Sequence, residues 1–273
     1  MKRTVFITGT SSGLGKSLTN FFAVNGWYVI ATSRNPKNVW KNDKNVLELK
    51  LDLSDKEKMK EALNPVFEKV NSIDLIINNA GKAIMGPLEN IPEEAIREIL
   101  DVNVLGAIRM IQIAIPYLKK QGYGKIINIS SSIGLSVDIP LSSVYAMSKF
   151  ALEGLSEGVY YELKSQNIDI HLVEPGGFRS SLGANAFMIQ PGKNSVYGEI
   201  NECLNTYLES KATDIHCPHT DMEDIVKTVY KLATGEIDSF RNLVGGDAKE
   251  ILDLRSNNSI EEYLQRIGSR FIR

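Results

Sequence analysis

Cysteine is nearly absent. Cys203 and Cys217 are the only two in 273 residues, too few for a disulfide scaffold and in keeping with a reducing compartment. A charge excess is lacking too. Lys and Arg number 31 against 33 Asp and Glu, a formal net charge of −2, so no basic footprint for nucleic acid is expected. Long apolar runs are also missing. Val5-Phe6-Ile7 follows Lys2-Arg3 but stops at Thr8-Gly9, which argues against a secretory leader. The most apolar later stretch, 107–118, is interrupted by Arg109, Gln112 and Pro116, short of the roughly 20 apolar residues of a membrane span. Repeats and Pro/Gly/Ser linkers do not divide the chain, so one cytoplasmic domain over 1–273 is expected, and about three quarters of its unfolded surface can be buried.

What is present is alternation. Short apolar runs at 4–8, 27–33, 46–51, 75–78, 125–130, 169–174 and 241–244 read as strands. Between them lie helical patterns: from Leu14 to a stop at Asn25-Gly26, 56–70 with Pro65 inside, Pro92 toward Leu118, 142–166 and 221–233. Strands alternating with helices predict a doubly wound α/β domain, its mainly parallel sheet covered on both faces. The span 180–220 is irregular and reads as an insert covering a pocket. The charged C-terminal end reads as helical, with little functional signal.

Between the first strand and first helix stands Thr8-Gly9-Thr10-Ser11-Ser12-Gly13-Leu14-Gly15. A glycine-rich turn there lets backbone N–H groups and the helix dipole meet a pyrophosphate, and side chains at Gly9, Gly13 or Gly15 would obstruct it. The spacing is G-x-x-x-G-x-G, a variant of the dinucleotide fingerprint. An acid ending the second strand would bind a free ribose 2′-hydroxyl, but this chain reads Thr32-Ser33-Arg34. The Arg34 guanidinium can instead pair with a 2′-phosphate, which favours NADP(H) over NAD(H). Asp52, after the third strand, is a candidate acceptor for the adenine amino group.

Tyr145 and Lys149 are four apart on a predicted helix and share one face. An ammonium near a phenol stabilises phenolate, and such a tyrosine can exchange a proton with a carbonyl or alcohol. With Thr8 to Gly15, Asn78-Asn79-Ala80-Gly81, Asp101-Val102-Asn103-Val104, Ile129-Ser130-Ser131 and Pro175-Gly176 in order along the chain, the sequence resembles the single-domain branch of the short-chain dehydrogenase/reductase family. The resemblance covers 4–181 and implies a Rossmann domain of about seven strands. It implies Tyr145 as general acid/base, Lys149 holding the nicotinamide ribose and lowering the tyrosine pKa, and Asn103 linked through water to Lys149. For the serine that orients the substrate oxygen, the usual separation from the tyrosine lands on Ser132, whereas the Ser-x-x-Gly pattern ending at Gly134 selects Ser131; the pattern is followed here. The same resemblance puts Ser11, Ser12, Leu14, Leu53, Asn79, Ala80, Gly81, Pro175, Gly176 and Phe178 at the cofactor, and Ser180 where a phosphate-binding threonine is frequent.

The residues predict an oxidoreductase moving hydride between NADP(H) and an apolar carbonyl compound or secondary alcohol, since 83–85, 135–141 and the 180–197 segment are mostly apolar. The alternative is a cofactor-binding sensor or scaffold without turnover, which would need the turn but not the proton-handling residues. A sugar-nucleotide epimerase would prefer another glycine spacing and a longer C-terminal region. Cys203, His216, Cys217 and His219 lack zinc-site spacing, so no metal is expected. Homo-oligomerisation and the identity of the substrate are not readable.

Overall fold

Period-two alternation in the strands sorts the core into two layers. In β1 (Thr4–Thr8) Val5 and Ile7 turn to one face and Phe6 to the other. β4 (Leu75–Asn78) repeats this with Leu75 and Ile77 against Ile76, and β6 (Gly124–Ile129) with Ile127 and Ile129 against Ile126. Strands apolar on both sides need helices on both sides. The computed structural model, which describes residues 2–178, 187–192, 195–213 and 220–272, the side chains of 211–213 excepted, supplies them. α1 (Gly13–Val24) and α7 (Met222–Thr234) cover one face; α2 (Lys56–Lys69), α4 (Gly106–Gln121) and α5 (Ser143–Leu163) cover the other.

With β2 (Tyr28–Ser33), β3 (Val46–Lys50), β7 (Ile168–Pro175) and β9 (Arg241–Val244), the sheet has seven strands in the order β3-β2-β1-β4-β6-β7-β9, every pairing parallel. The order reverses between β1 and β4, and such a reversal opens a crevice at the carboxyl ends of the strands. This is the predicted doubly wound α/β domain.

Several elements depart from expectation. The helix expected from Pro92 onward is α3 (Glu93–Leu100), one π-helical turn over Asp101–Leu105, then α4. π turns inside helices are frequent at functional sites, and this one carries Asn103 into the interior, 3% exposed. By length and composition the continuous stretch Glu93–Gln121 could cross a membrane, which the sequence reading did not anticipate. Its apolar side, with Met110, Ile111, Ala114 and Leu118, packs into the core. Pro65 does not break α2, which Met59, Leu63 and Phe67 anchor. Part of the supposedly irregular insert is a helix, α6 (Gly198–Thr213). Its Leu204 is fully buried, with Cys203 and Tyr207 packed in the same cluster against α8 (Gly246–Ser256) and α9 (Ile260–Gly268). Two short strands, β5 (Ile84–Met85) and β8 (Phe187–Met188), pair in parallel beside it. Ser180 lies outside the described residues.

Candidate active site

A cavity of about 1600 Å³ opens along the carboxyl ends of the sheet, more than a small-molecule site ordinarily needs. At one end is the glycine-rich turn. Gly9 (φ +72) and Gly13 (φ +52) hold left-handed backbone that glycine tolerates. A Cβ on Gly9 would come 2.7 Å from Ala80 Cα; one on Gly15 would strike the Gly9 carbonyl and stand 2.6 Å from Asn79 Nδ2. Gly9, Ser11, Ser12, Leu14 and Gly15 form cavity wall, whereas Gly13 opens α1 and shapes the turn from behind. Asn79 is more than a small residue beside a ribose: its Nδ2 donates to the Thr8 carbonyl at 2.8 Å and the Gly9 carbonyl at 3.2 Å. The Thr8 hydroxyl accepts from the N–H groups of Asn79 and Ala80, both at 3.0 Å. The ends of β1 and β4 are thereby stapled, with Ala80 and Gly81 on the wall.

Arg34, Asp52 and Leu53 line the same end. Asp52 Oδ1 accepts from the Ser54 N–H and hydroxyl, at 3.0 and 2.8 Å. Those bonds, then the charges of Arg34 and Lys58, hold its carboxyl below the usual range. Asp52 thus first closes the turn before α2. Leu53 is fixed through its carbonyl, which accepts from Arg109 Nη1 at 2.7 Å.

At mid-cavity stand Ser131, Tyr145 and Lys149. The Ser131 hydroxyl hydrogen-bonds the phenol of Tyr145 and donates to the Pro175 carbonyl at 3.5 Å. Lys149, 5% exposed, places Nζ 5.9 Å from the centre of the Tyr145 ring and donates to the Ile129 carbonyl at 2.9 Å. The resemblance led us to expect a tyrosine pKa lowered by the lysine; the structure shows the reverse direction. Burial pushes the phenol up to about 12, opposed by the Ser131 hydrogen bond. Burial also brings the Lys149 ammonium down to about 8, opposed by the Glu153 carboxylate. Enclosure disfavours both charged forms, and Nζ addresses a backbone carbonyl here. Asn103 is not on the wall. Its Oδ1 accepts from the Lys82 N–H at 2.8 Å, and its Nδ2 donates to the Lys82 carbonyl and the Ser148 hydroxyl, each at 2.9 Å. It ties the π turn to α5 and to the segment after Gly81.

Pro175, which ends β7, and Gly176 and Phe178 after it stand on the wall. Here the sequence reading missed a partner. Asp247 accepts from the Gly177 N–H at 2.7 Å and from the Thr220 hydroxyl at 2.9 Å, so the start of α8 fastens the loop after β7. Thr220, Asp247, Glu250 and Ile251 all reach the cavity; the C-terminal end is part of the site. The one sequence signal was Gly245-Gly246-Asp247 directly after the last strand. Met85, Ile139, Phe187, Met188, Tyr207 and Leu208 make an apolar far wall.

His216, Cys217 and His219 lie outside the described residues. Among the described residues, Asp169, His171 and Asp238 bring ligand-type atoms within 4.8 Å of one another. Asp169 there is paired with Lys164 at 3.0 Å, so a lysine already neutralises this group.

A family model described as short chain dehydrogenase matches residues 3–191. The 3-amino-tetrahydro-pyrrolizinone reductase of Xenorhabdus hominickii is 30% identical over 257 residues, covering 91% of this chain and 88% of its own length. Among solved structures, a short-chain dehydrogenase from Streptomyces avermitilis superposes with a TM-score of 0.82 at 25% identity, over 98% of this chain and 97% of that one. ElxO with NADP bound does so with a TM-score of 0.76 at 26% identity, over 92% and 100%. The chain belongs to the short-chain dehydrogenase family of oxidoreductases.

Proposed function

We propose that this protein is an NADP(H)-dependent reductase of apolar ketones or aldehydes, working in reverse on the corresponding alcohols, with Tyr145 as the proton donor. The observation that carries the reading is the grouping of Ser131, Tyr145 and Lys149 in one cavity with the glycine-rich turn and Arg34. The residues fit the cofactor. The turn is so close-packed that a Cβ at Gly9 or Gly15 cannot be accommodated, leaving bare backbone for a pyrophosphate at the N-terminus of α1. Arg34 offers a planar, bidentate cation to a 2′-phosphate where the neighbouring Ser33 offers no carboxylate. The NADP-bound relative ElxO supports the same preference. When bound, NADP(H) supplies or takes the hydride.

The chain's own residues handle the oxygen and the proton. A phenol raised to about 12 is protonated at neutral pH and is set to donate to a developing alkoxide. The Ser131 hydroxyl, 44 residues from the Pro175 carbonyl it reaches, orients the same oxygen. Lys149, as the ammonium, holds the ribose side and favours the tyrosinate left after donation. Asn103 acts at a distance, as a positioning residue that fixes the π turn against α5. The far wall of Met85, Ile139, Phe187 and Met188, with Tyr207 and Leu208 of α6, selects an apolar body.

Titration of NADPH and NADH by nicotinamide fluorescence at fixed salt tests the cofactor half. Arg34→Ala weakens NADPH roughly tenfold to a hundredfold, the range for a charge-assisted hydrogen bond, with little effect on NADH. Ser33→Asp reverses the preference. Equal weakening of both cofactors by Arg34→Ala, or an NADH preference in the unaltered protein, refutes the assignment.

A further inference from the structure

Behind Lys149, away from the cavity, two acids are buried where the reading above uses none. Glu153 is 4% exposed and Glu174 fully buried. Glu153 stands one turn beyond Lys149 on α5, and Glu174 is the penultimate residue of β7. One guanidinium serves both: Arg241 Nε lies 3.2 Å from Glu153 Oε2 and 4.0 Å from Glu174 Oε1, while its Nη2 goes outward to Glu157 at 3.1 Å. The other Glu174 oxygen, Oε2, accepts from the Asn242 N–H at 2.7 Å. That leaves Glu174 Oε1 buried with no hydrogen-bond donor, and Glu153 Oε1 with only the Ser130 hydroxyl beside it. Two buried carboxylates sharing one guanidinium N–H, with one oxygen of Glu174 left bare, are not a stable arrangement when both are charged; a proton on one of them supplies the missing donor and removes one charge.

We propose that Glu153 and Glu174 hold one proton between them at neutral pH and that this carboxyl pair sets the charge on Lys149. Facing Lys149 are Glu153 from its own helix, Tyr145 on the cavity side and the Ile129 carbonyl from β6; facing the pair are Arg241 from β9 and, on the Glu153 side, Lys149 and the Ser130 hydroxyl. With the pair singly charged, Lys149 and Arg241 are balanced by Glu153 and Glu157, and the interior carries no excess. As pH rises, Glu174, held up to about 8 by burial and by Glu153, gives up its proton first. The new negative charge keeps Lys149 an ammonium to higher pH than the lysine would manage alone. Glu153 and Glu174 touch neither cofactor nor substrate and are positioning residues in this account.

The proposal rests on the role given to Lys149, and one half of its test does not need turnover. Isotope-edited infrared spectra of the full-length protein carrying ¹³C-labelled glutamate are recorded from pH 5 to 10. A protonated glutamate band is expected at pH 7, lost around pH 8, absent in Glu174→Gln and lost at lower pH in Glu153→Gln. In parallel, the alkaline limb of kcat/KM moves down by about one pH unit in both variants, and Glu174→Asp restores it. A purely structural ion cluster would change thermal stability and leave the limb in place. No protonated glutamate at pH 7 in the folded, unaltered protein, or an unmoved limb in both variants, overturns the proposal. Absence of any turnover with a normal infrared titration overturns the proposed function and leaves the proton-sharing pair standing.

Discussion

Ser131 and Ser132 are adjacent in sequence, and counting along the chain favours one while the Ser-x-x-Gly pattern favours the other. The structure puts the Ser131 hydroxyl on the Tyr145 phenol. Ser131 also caps the short 3₁₀ turn Ser132–Gly134, accepting from the Ile133 N–H at 3.4 Å. Ser131→Ala is therefore expected to lower kcat about a hundredfold to a thousandfold, the usual loss for a positioned donor to a developing oxyanion. Ser132→Ala is expected to keep kcat within a few-fold of the parent. Steady-state kinetics on the two variants decide the matter, and a larger loss in Ser132→Ala would reassign the role. The pairing of Tyr145 with Lys149 was legible because it is local: the two share a face by helix periodicity alone. Their electrostatics were not, because burial and the Ile129 carbonyl depend on strands that sequence spacing does not locate.

Among the elements, the β1–turn–α1 unit was the most legible, since strand, glycines and helix stop are consecutive. Its tolerance to change is low. In Gly15→Ala the new methyl runs into the Gly9 carbonyl and the Asn79 amide. Overpacking of this kind costs about 1–3 kcal/mol, so denaturant unfolding should show that loss together with weakened NADPH binding. The contribution of α8 was illegible, because Asp247 meets the Gly177 N–H across 70 residues of sequence. Asp247→Ala removes the partner of that N–H and of the Thr220 hydroxyl, and opens space beside Gly176, where a Cβ would otherwise lie 2.6 Å from Asp247 Oδ2. It is expected to raise the dissociation constant for NADPH several-fold and to cost about 0.5–1.5 kcal/mol on unfolding, the net worth of an ordinary hydrogen bond. Unchanged affinity by fluorescence titration would detach α8 from the cofactor end of the site. α6 was missed although Cys203, Leu204 and Tyr207 carry a helical spacing; surrounding polar residues diluted it, and its partners in α8 and α9 come much later in the chain.

At the scale of the whole molecule, buried ionisable groups couple stability to pH. Glu174 is raised from 4.5 to about 8 in the folded protein. Between those values the folded chain holds a proton that the unfolded chain releases, so this contribution is complete below pH 4.5 and is lost as pH climbs through 8. Lys149 is depressed from 10.5 to about 8. Its contribution is present above 10.5 and is lost as pH falls through 8. Together the two groups place a minimum of unfolding free energy near pH 8. Urea denaturation from pH 5 to 10 should find it, and Glu174→Gln should flatten the acidic side; a curve still rising steadily from pH 5 to 8 in the unaltered protein would contradict the burial argument. The doubly wound topology follows from alternation that runs the length of the chain, and it brings the turn, Tyr145 and the loop after β7 to one edge of the sheet. The central claim is that this edge reduces a carbonyl with Tyr145 as proton donor. Its most direct test is NADPH oxidation, followed by absorbance, with a panel of apolar ketones and aldehydes on the parent and Tyr145→Phe proteins of matched NADPH affinity. The account predicts turnover by the parent and a loss of about a hundredfold to ten-thousandfold in the variant; turnover at the parental rate by Tyr145→Phe would contradict it.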